Sequence, residues 1–174
     1  MKVLETDRLI LRWLSTDDAA FMLELLNDPL WLRYIGDRGV HTLADARTYI
    51  ADGPVTMYHR LGFGLYLTEL KAGNCPIGIC GLIKRDFLAD VDIGFAFLPQ
   101  FRAQGYAFEA ASAVLGYARH VLGLQRIAAI TALDNHASGR LLAKLGFAFE
   151  QIIPFPADGE EIKLYGVEWG DRQG

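Results

Sequence analysis

Apolar residues recur along this chain with two periods, and those periods sort it into strands and helices. Between Asp90 and Leu98 the run is dense in Val, Ile and Phe and closes at Pro99, which predicts a strand. From Gly105 to about Leu122, the residues Ala107, Ala110, Ala111, Val114, Leu115, Ala118, Val121 and Leu122 fall at helical spacing, which predicts an amphipathic helix. Leu9 to Trp13 alternates apolar residues with arginine, as a first strand would. Ser15 to Asp18 offer N-caps for a helix to about Asn27, which Asp28-Pro29 should stop. The aromatic stretch Leu30 to Ile35 is ambiguous. Thr42 should cap a second helix, Leu43 to about Asp52, ended by Gly53-Pro54.

Gly62 to Leu70 and Ile77 to Ile83 predict two antiparallel strands joined by Lys71-Ala72-Gly73-Asn74. Arg85 to Ala89 is a turn into the strand at Asp90. Leu124 to Thr131 predicts another strand after the long helix, and a strand–helix–strand succession implies a right-handed crossover with parallel pairing. Asn135 or Ser138 should start a short helix with Leu141, Leu142 and Leu145 inward and Gly146 as its left-handed C-terminal cap. Phe147 to Phe155 and Glu161 to Trp169 should close the sheet as a hairpin around Pro156 to Gly159. Hairpins first and a β-α-β unit later predict a mixed α/β fold: one domain over residues 1–174, its mostly antiparallel sheet of about six to seven strands flanked by helices.

The chemistry concentrates in the loop between the Asp90 strand and the long helix, Gln100-Phe101-Arg102-Ala103-Gln104-Gly105-Tyr106-Ala107. The first amides of a helix lack intrahelical partners and the dipole makes that end electropositive. Together they suit an anion such as a diphosphate, and Gly105 lets a phosphate approach the backbone. The two common nucleotide signatures, G-x-x-x-x-G-K-[ST] and G-x-G-x-x-G, are absent. An ordinary strand–loop–helix with one glycine explains the spacing equally well.

Arg102 to Ala107 matches the R/Q-x-x-G-x-G/A pattern, and here the chain resembles the GNAT superfamily of N-acetyltransferases, whose loop holds the pyrophosphate of acetyl-coenzyme A. Three further stretches resemble the RimJ/RimL branch: Glu5 to Arg12, Asp92-Ile93-Gly94-Phe95, and Asn135 to Ser138 running into Lys144-Leu145-Gly146-Phe147. The resemblance spans residues 5 to 150 in the branch's order. It implies direct acetyl transfer from acetyl-CoA to a primary amine, either a protein N-terminus or a small molecule, with no covalent enzyme intermediate.

The resemblance also implies roles. Arg102, Ala103, Gln104, Gly105, Tyr106 and Ala107 would hold the pyrophosphate, while Phe95, Ala96 and Phe97 would pair their main chain with the pantetheine arm. Asn135 would face that arm, and Ser138 would lie near the sulfur. Many superfamily members carry a tyrosine acid four residues before the glycine of Leu-Gly-Phe; here that position is Leu142, which moves the acid role to Ser138. Asp92 is the candidate base, with Glu109 behind it, and Trp31, Tyr34 and Glu109 are candidate acceptor contacts. Each has a plainer alternative. Asn and Ser three apart cap helices, Asp92 could pair with an arginine, an acid in a first helical turn complements the dipole, and aromatics between helices are core. Ala103 stands where the branch usually has glycine, which is tolerated if its φ is negative. Leu142 and Ala103 favour a rival reading, an inactive acyl-CoA-binding module that acts as a sensor. A second rival is an unrelated phosphate-binding α/β domain.

Composition narrows the field. With 174 residues and 52% hydrophobic content, the chain can bury one core. No apolar run approaches the roughly 20 residues of a membrane span, and Met1 to Arg8 lacks a signal-peptide core, so a cytoplasmic protein with no membrane partner is expected. A net charge of −4 argues against a nucleic-acid partner and suits a cationic amine. Cys75 and Cys80 match no zinc or redox spacing, the four histidines are scattered, and no metal is expected. The apolar C-terminal hairpin leaves room for a homodimer.

Overall fold

The computed structural model describes residues 1–170. Eight strands form one sheet in the order β1-β2-β3-β4-β5-β6-β8-β7. They are β1 (Lys2–Glu5), β2 (Leu9–Arg12), β3 (Leu65–Leu70), β4 (Cys75–Ile83), β5 (Asp92–Phe97), β6 (Arg126–Ala132), β7 (Ala148–Pro154) and β8 (Glu161–Glu168). Every neighbouring pair is antiparallel except β5 and β6, which the crossover makes parallel. The expected mixed sheet is present, with β1 as a strand beyond those foreseen.

Among the described residues, six α-helices flank the sheet: α1 (Ala19–Leu26), α2 (Pro29–Tyr34), α3 (Leu43–Ile50), α4 (Thr56–Leu61), α5 (Tyr106–His120) and α6 (His136–Lys144). Strand alternation sends successive residues to opposite faces. Tyr66, Cys80, Ile93, Phe97 and Ile127 pack with Ala110, Ala111, Val114 and Ala118 of α5. Leu67 and Ile79 pack on the other face with Met22, Leu25, Trp31, Ala46 and Ile50 of α1 to α3. Two buried layers on one sheet make a three-layer domain.

The caps explain the helix starts. Ser15 and Asp18 form a capping box ahead of α1, and Thr42 and Asp45 form another at α3. Two expectations are corrected. Asp28-Pro29 does stop α1, but it also starts α2: the Asp28 carboxylate accepts from the Leu30 and Trp31 amides, and a proline at the first helical position has no amide to leave unpaired. Gly53-Pro54 does not end the helical run. Residues 51–55 widen into a π turn that accommodates the missing proline amide, and the Thr56 hydroxyl donates to the Ala51 carbonyl at 2.8 Å before α4 continues.

Candidate active site

The sheet is divided between β5 and β6. Their only residue pair is Asp92 with Ala128, where the Ala128 amide donates to the Val91 carbonyl at 2.9 Å. Beyond it the strands diverge. Even-numbered residues of β5 bond toward β4, so the alternation aims the main-chain groups of Phe95 and Phe97 into the gap with no strand partner. Unpaired backbone groups away from water are costly, so an edge this deep in a sheet marks a place for a polar ligand.

A cavity of about 790 Å³ runs through that gap. Its lining comes from both faces of the sheet. Leu65, Ile79, Gly94 and Ala96 belong to the α1–α3 side, while Phe95, Ala129 and Leu142 belong to the α5–α6 side. It is therefore a passage rather than a one-sided cleft. Of the residues expected at the site, it brings together Trp31, Tyr34, Asp92, Phe95, Ala96, Asn135 and Ser138. Phe97 is buried under α5, and the loop from Arg102 to Ala107 lies outside the cavity wall.

Asp92 sits on that wall with its carboxylate 1% exposed. The Arg85 Nε donates to its two oxygens at 3.0 and 3.3 Å. Burial pushes its pKa up to about 6, against the pull of Arg85 and Lys84. Asn135 caps α6 by accepting from the Ser138 amide at 3.3 Å, so the plain capping role is realised. The Ser138 hydroxyl has no hydrogen-bond partner among the described residues.

The loop at the head of α5 is braced from β2's approach. Arg8 donates to Glu109 through Nε at 2.7 Å and to the Gln104 carbonyl at 3.1 Å, and its guanidinium lies 4.3 Å from the centre of the Tyr106 ring. Glu109 also accepts from the Thr6 hydroxyl at 2.6 Å. Burial alone would raise its pKa, but Thr6 and Arg8 together hold it below the ordinary carboxylate range. Glu109 thus braces the loop through Thr6 and Arg8 and does not line the cavity. Gly105 has φ +84°, and a Cβ there would meet Arg8 Nη2 at 3.3 Å. It begins α5 with no side-chain cap, which leaves the first amides of a 15-residue helix open to an anion.

Two loop residues differ from expectation. Ala103 has φ +58°, so the condition of a negative φ is not met and the position is one that glycine suits better. The Arg102 guanidinium does not hang free for a phosphate; Nη2 is 2.6 Å from the buried Asp28 carboxylate.

Sequence reasoning missed part of the wall. Thr131 Oγ1 is buried without a partner among the described residues, as is Nε1 of the expected Trp31. Tyr49 is on the wall, its pKa raised by burial and opposed by Arg38 and Arg85. Arg38, Asp52, Glu160 and Glu161 line the cavity with no ion pair among the described residues. Arg38 and Glu160 lie in loops, which carry no periodicity, while Tyr49, Thr131 and Glu161 lie within α3, β6 and β8, where periodicity gives a face but not the cavity it meets. Among the described residues, no group of three His, Cys, Asp or Glu could hold a metal, and no helix is long and apolar enough to cross a membrane.

An acetyltransferase (GNAT) domain profile matches residues 8–148. The chain belongs to the GNAT acetyltransferase family. It is 32% identical over 153 residues to YoaA, an uncharacterised N-acetyltransferase of Bacillus subtilis, covering 87% of this chain and 85% of that one. A GNAT-family acetyltransferase from Bacillus anthracis superposes with a TM-score of 0.79 at 25% identity, covering 97% of this chain and 98% of the other. The ribosomal-protein acetyltransferase RimL, solved in complex with coenzyme A, shares the fold with a TM-score of 0.82 at 16% identity, over 97% and 98% of the two chains. The family match removes the reading as an unrelated phosphate-binding domain.

Proposed function

We propose that this protein is an N-acetyltransferase that moves the acetyl group of acetyl-CoA directly to a primary amine. The observation that carries the reading is the passage through the sheet, which lets two substrates enter from opposite faces and meet between β5 and β6. The residues present fit acetyl-CoA: an uncapped helix start at Gly105 for the diphosphate, and the unpaired main chain of Phe95 and Phe97 for an amide-bearing arm. Bound there, acetyl-CoA supplies a thioester whose acyl carbon an amine can attack.

The chain's own groups do the rest. The amides of Gln104, Gly105, Tyr106 and Ala107 hold phosphate. Ala103 shapes the loop beneath it, and Ala96 keeps the β5 wall small beside the arm. A β5 amide aimed into the gap donates to the carbonyl oxygen as it gains charge. Asn135 holds the arm, and the Ser138 hydroxyl donates to the departing sulfur. Asp92 takes the amine proton through a water, because its carboxylate is too buried to meet the amine directly. A pKa of about 6 keeps it ionised at neutral pH and still basic enough for the transfer. Trp31 and Tyr34 line the acceptor's side.

Calorimetry with acetyl-CoA tests the reading first. Wild type should bind saturably and Gly105→Trp should not, with its circular dichroism unchanged. A panel of primary amines, read by thiol release, then identifies turnover. Absence of binding in wild type would sink the reading, and binding without release across the panel would favour the sensor alternative.

A further inference from the structure

The wall helix α2 is tied at both ends to the segments that would hold the cofactor. At its start, one oxygen of Asp28 does two jobs: Oδ2 accepts from the Leu30 and Trp31 amides at 3.2 and 3.3 Å, and from Arg102 Nη2 at 2.6 Å. Arg102 belongs to the loop ahead of α5. At its far end, Arg33 reaches Asp134 at 2.9 Å, one residue before the α6 cap Asn135. The two ties are not equal. Arg33 and Asp134 are 60% and 59% exposed, where an ion pair contributes little. The Asp28 side chain is 4% exposed and Arg102 33%, so this pair is charge-assisted and shielded.

Building on the reading above, we infer that Asp28 is a positioning residue that couples cofactor binding to the acceptor wall. A carboxylate shared between the loop and the helix makes their placements interdependent. Ordering of the loop by a diphosphate fixes Arg102, Arg102 fixes Asp28, and Asp28 sets the first turn of α2 and Trp31 on the cavity wall. Coupling of this kind is reciprocal, so a formed wall also tightens cofactor binding. The acceptor wall is then held more tightly once the cofactor is in place.

Asp28→Asn separates this role from simple helix capping, because asparagine caps as well as aspartate but offers Arg102 no charge. Amide hydrogen exchange of the peptide spanning residues 29–35 is measured with and without saturating coenzyme A, with binding checked by calorimetry. In wild type, coenzyme A should slow exchange of this peptide about threefold or more. In Asp28→Asn and in Arg102→Gln the slowing should vanish while the same peptide's exchange without ligand stays near wild type. The inference is overturned if wild-type α2 is indifferent to coenzyme A, or if Asp28→Asn keeps the full slowing. Failure of wild type to bind coenzyme A at all would instead remove the functional reading on which it rests.

Discussion

Around Gly105 the polar side chains are committed, whereas on the wall of the passage many are not. Arg8 is spent on Glu109, the Gln104 carbonyl and the Tyr106 ring, Thr6 on Glu109, and Gln104 Nε2 on the Gln100 carbonyl at 2.8 Å. Opposite them, Arg38, Asp52, Glu160 and Glu161 face the cavity without ion pairs among the described residues, and Leu32 of α2 and the adjoining Ile35 are about 40% exposed. On the proposed function, the first side would be pre-organised for one fixed group, a diphosphate. The second would keep its charges for the amine it receives, its recognition energy spent only when that amine arrives.

Breaking the chemistry between the two sides has the largest expected effect. Asp92→Asn should lower kcat about a hundredfold or more, with acetyl-CoA affinity little changed. The acid limb of the wild-type rate profile should lie near pH 6 and disappear in the variant. The same residue leaves a mark on stability. Folded Asp92 binds a proton more readily than unfolded, near 6 against 3.8, so its contribution is fully present below pH 3.8 and is lost as pH rises through 6. From about pH 4 to pH 7, wild type should lose about 2 kcal/mol of unfolding free energy relative to Asp92→Asn, measured by urea titration at each pH.

Loosening the committed side comes next. Arg8→Ala should weaken acetyl-CoA binding about tenfold by calorimetry while kcat at saturation stays near wild type, because it frees the loop without touching the reacting atoms. The smallest effect sharpens the comparison instead of breaking it. Ala103→Gly should raise stability by about 0.5 kcal/mol in a thermal melt. Relief of the left-handed alanine there slightly outweighs the entropy that glycine adds to the unfolded chain. No gain would mean that the loop holds Ala103 without strain.

The committed side was also the legible one. The β5 strand, the spacing of Ala110, Ala111, Val114 and Ala118, and Gly105 between them carry period, breaker and helix start in one run of sequence. The acceptor side was harder for identifiable reasons. Asp-Pro both terminates a helix and begins one, and only the third dimension says that Asp28 turns to cap Leu30 and Trp31. Gly53-Pro54 spells an ending, yet a wider turn and one threonine hydroxyl carry the chain through. β1 is four residues with charged ends, too short for alternation to register. Glu109 shows the limit for single side chains. Its place in the first turn was plain, but its rotation toward Thr6 and Arg8 depends on contacts about 100 residues away in sequence.

The single residue pair between β5 and β6 also bears on how the domain comes apart. Five strands lie on one side of that pair and three on the other, and backbone hydrogen bonding between the groups stops at Ala128. What spans them is the packing of α5, whose Ala110, Val114 and Ala118 share one cluster with Ile93 and Ile127. A ligand threaded through the gap would act as a stitch, joining two cooperative units into one melting transition. By mass action, at a hundred times its dissociation constant, it would add about 2.7 kcal/mol to the folded state. The gap between β5 and β6 is in this sense also the seam along which the domain is held together least.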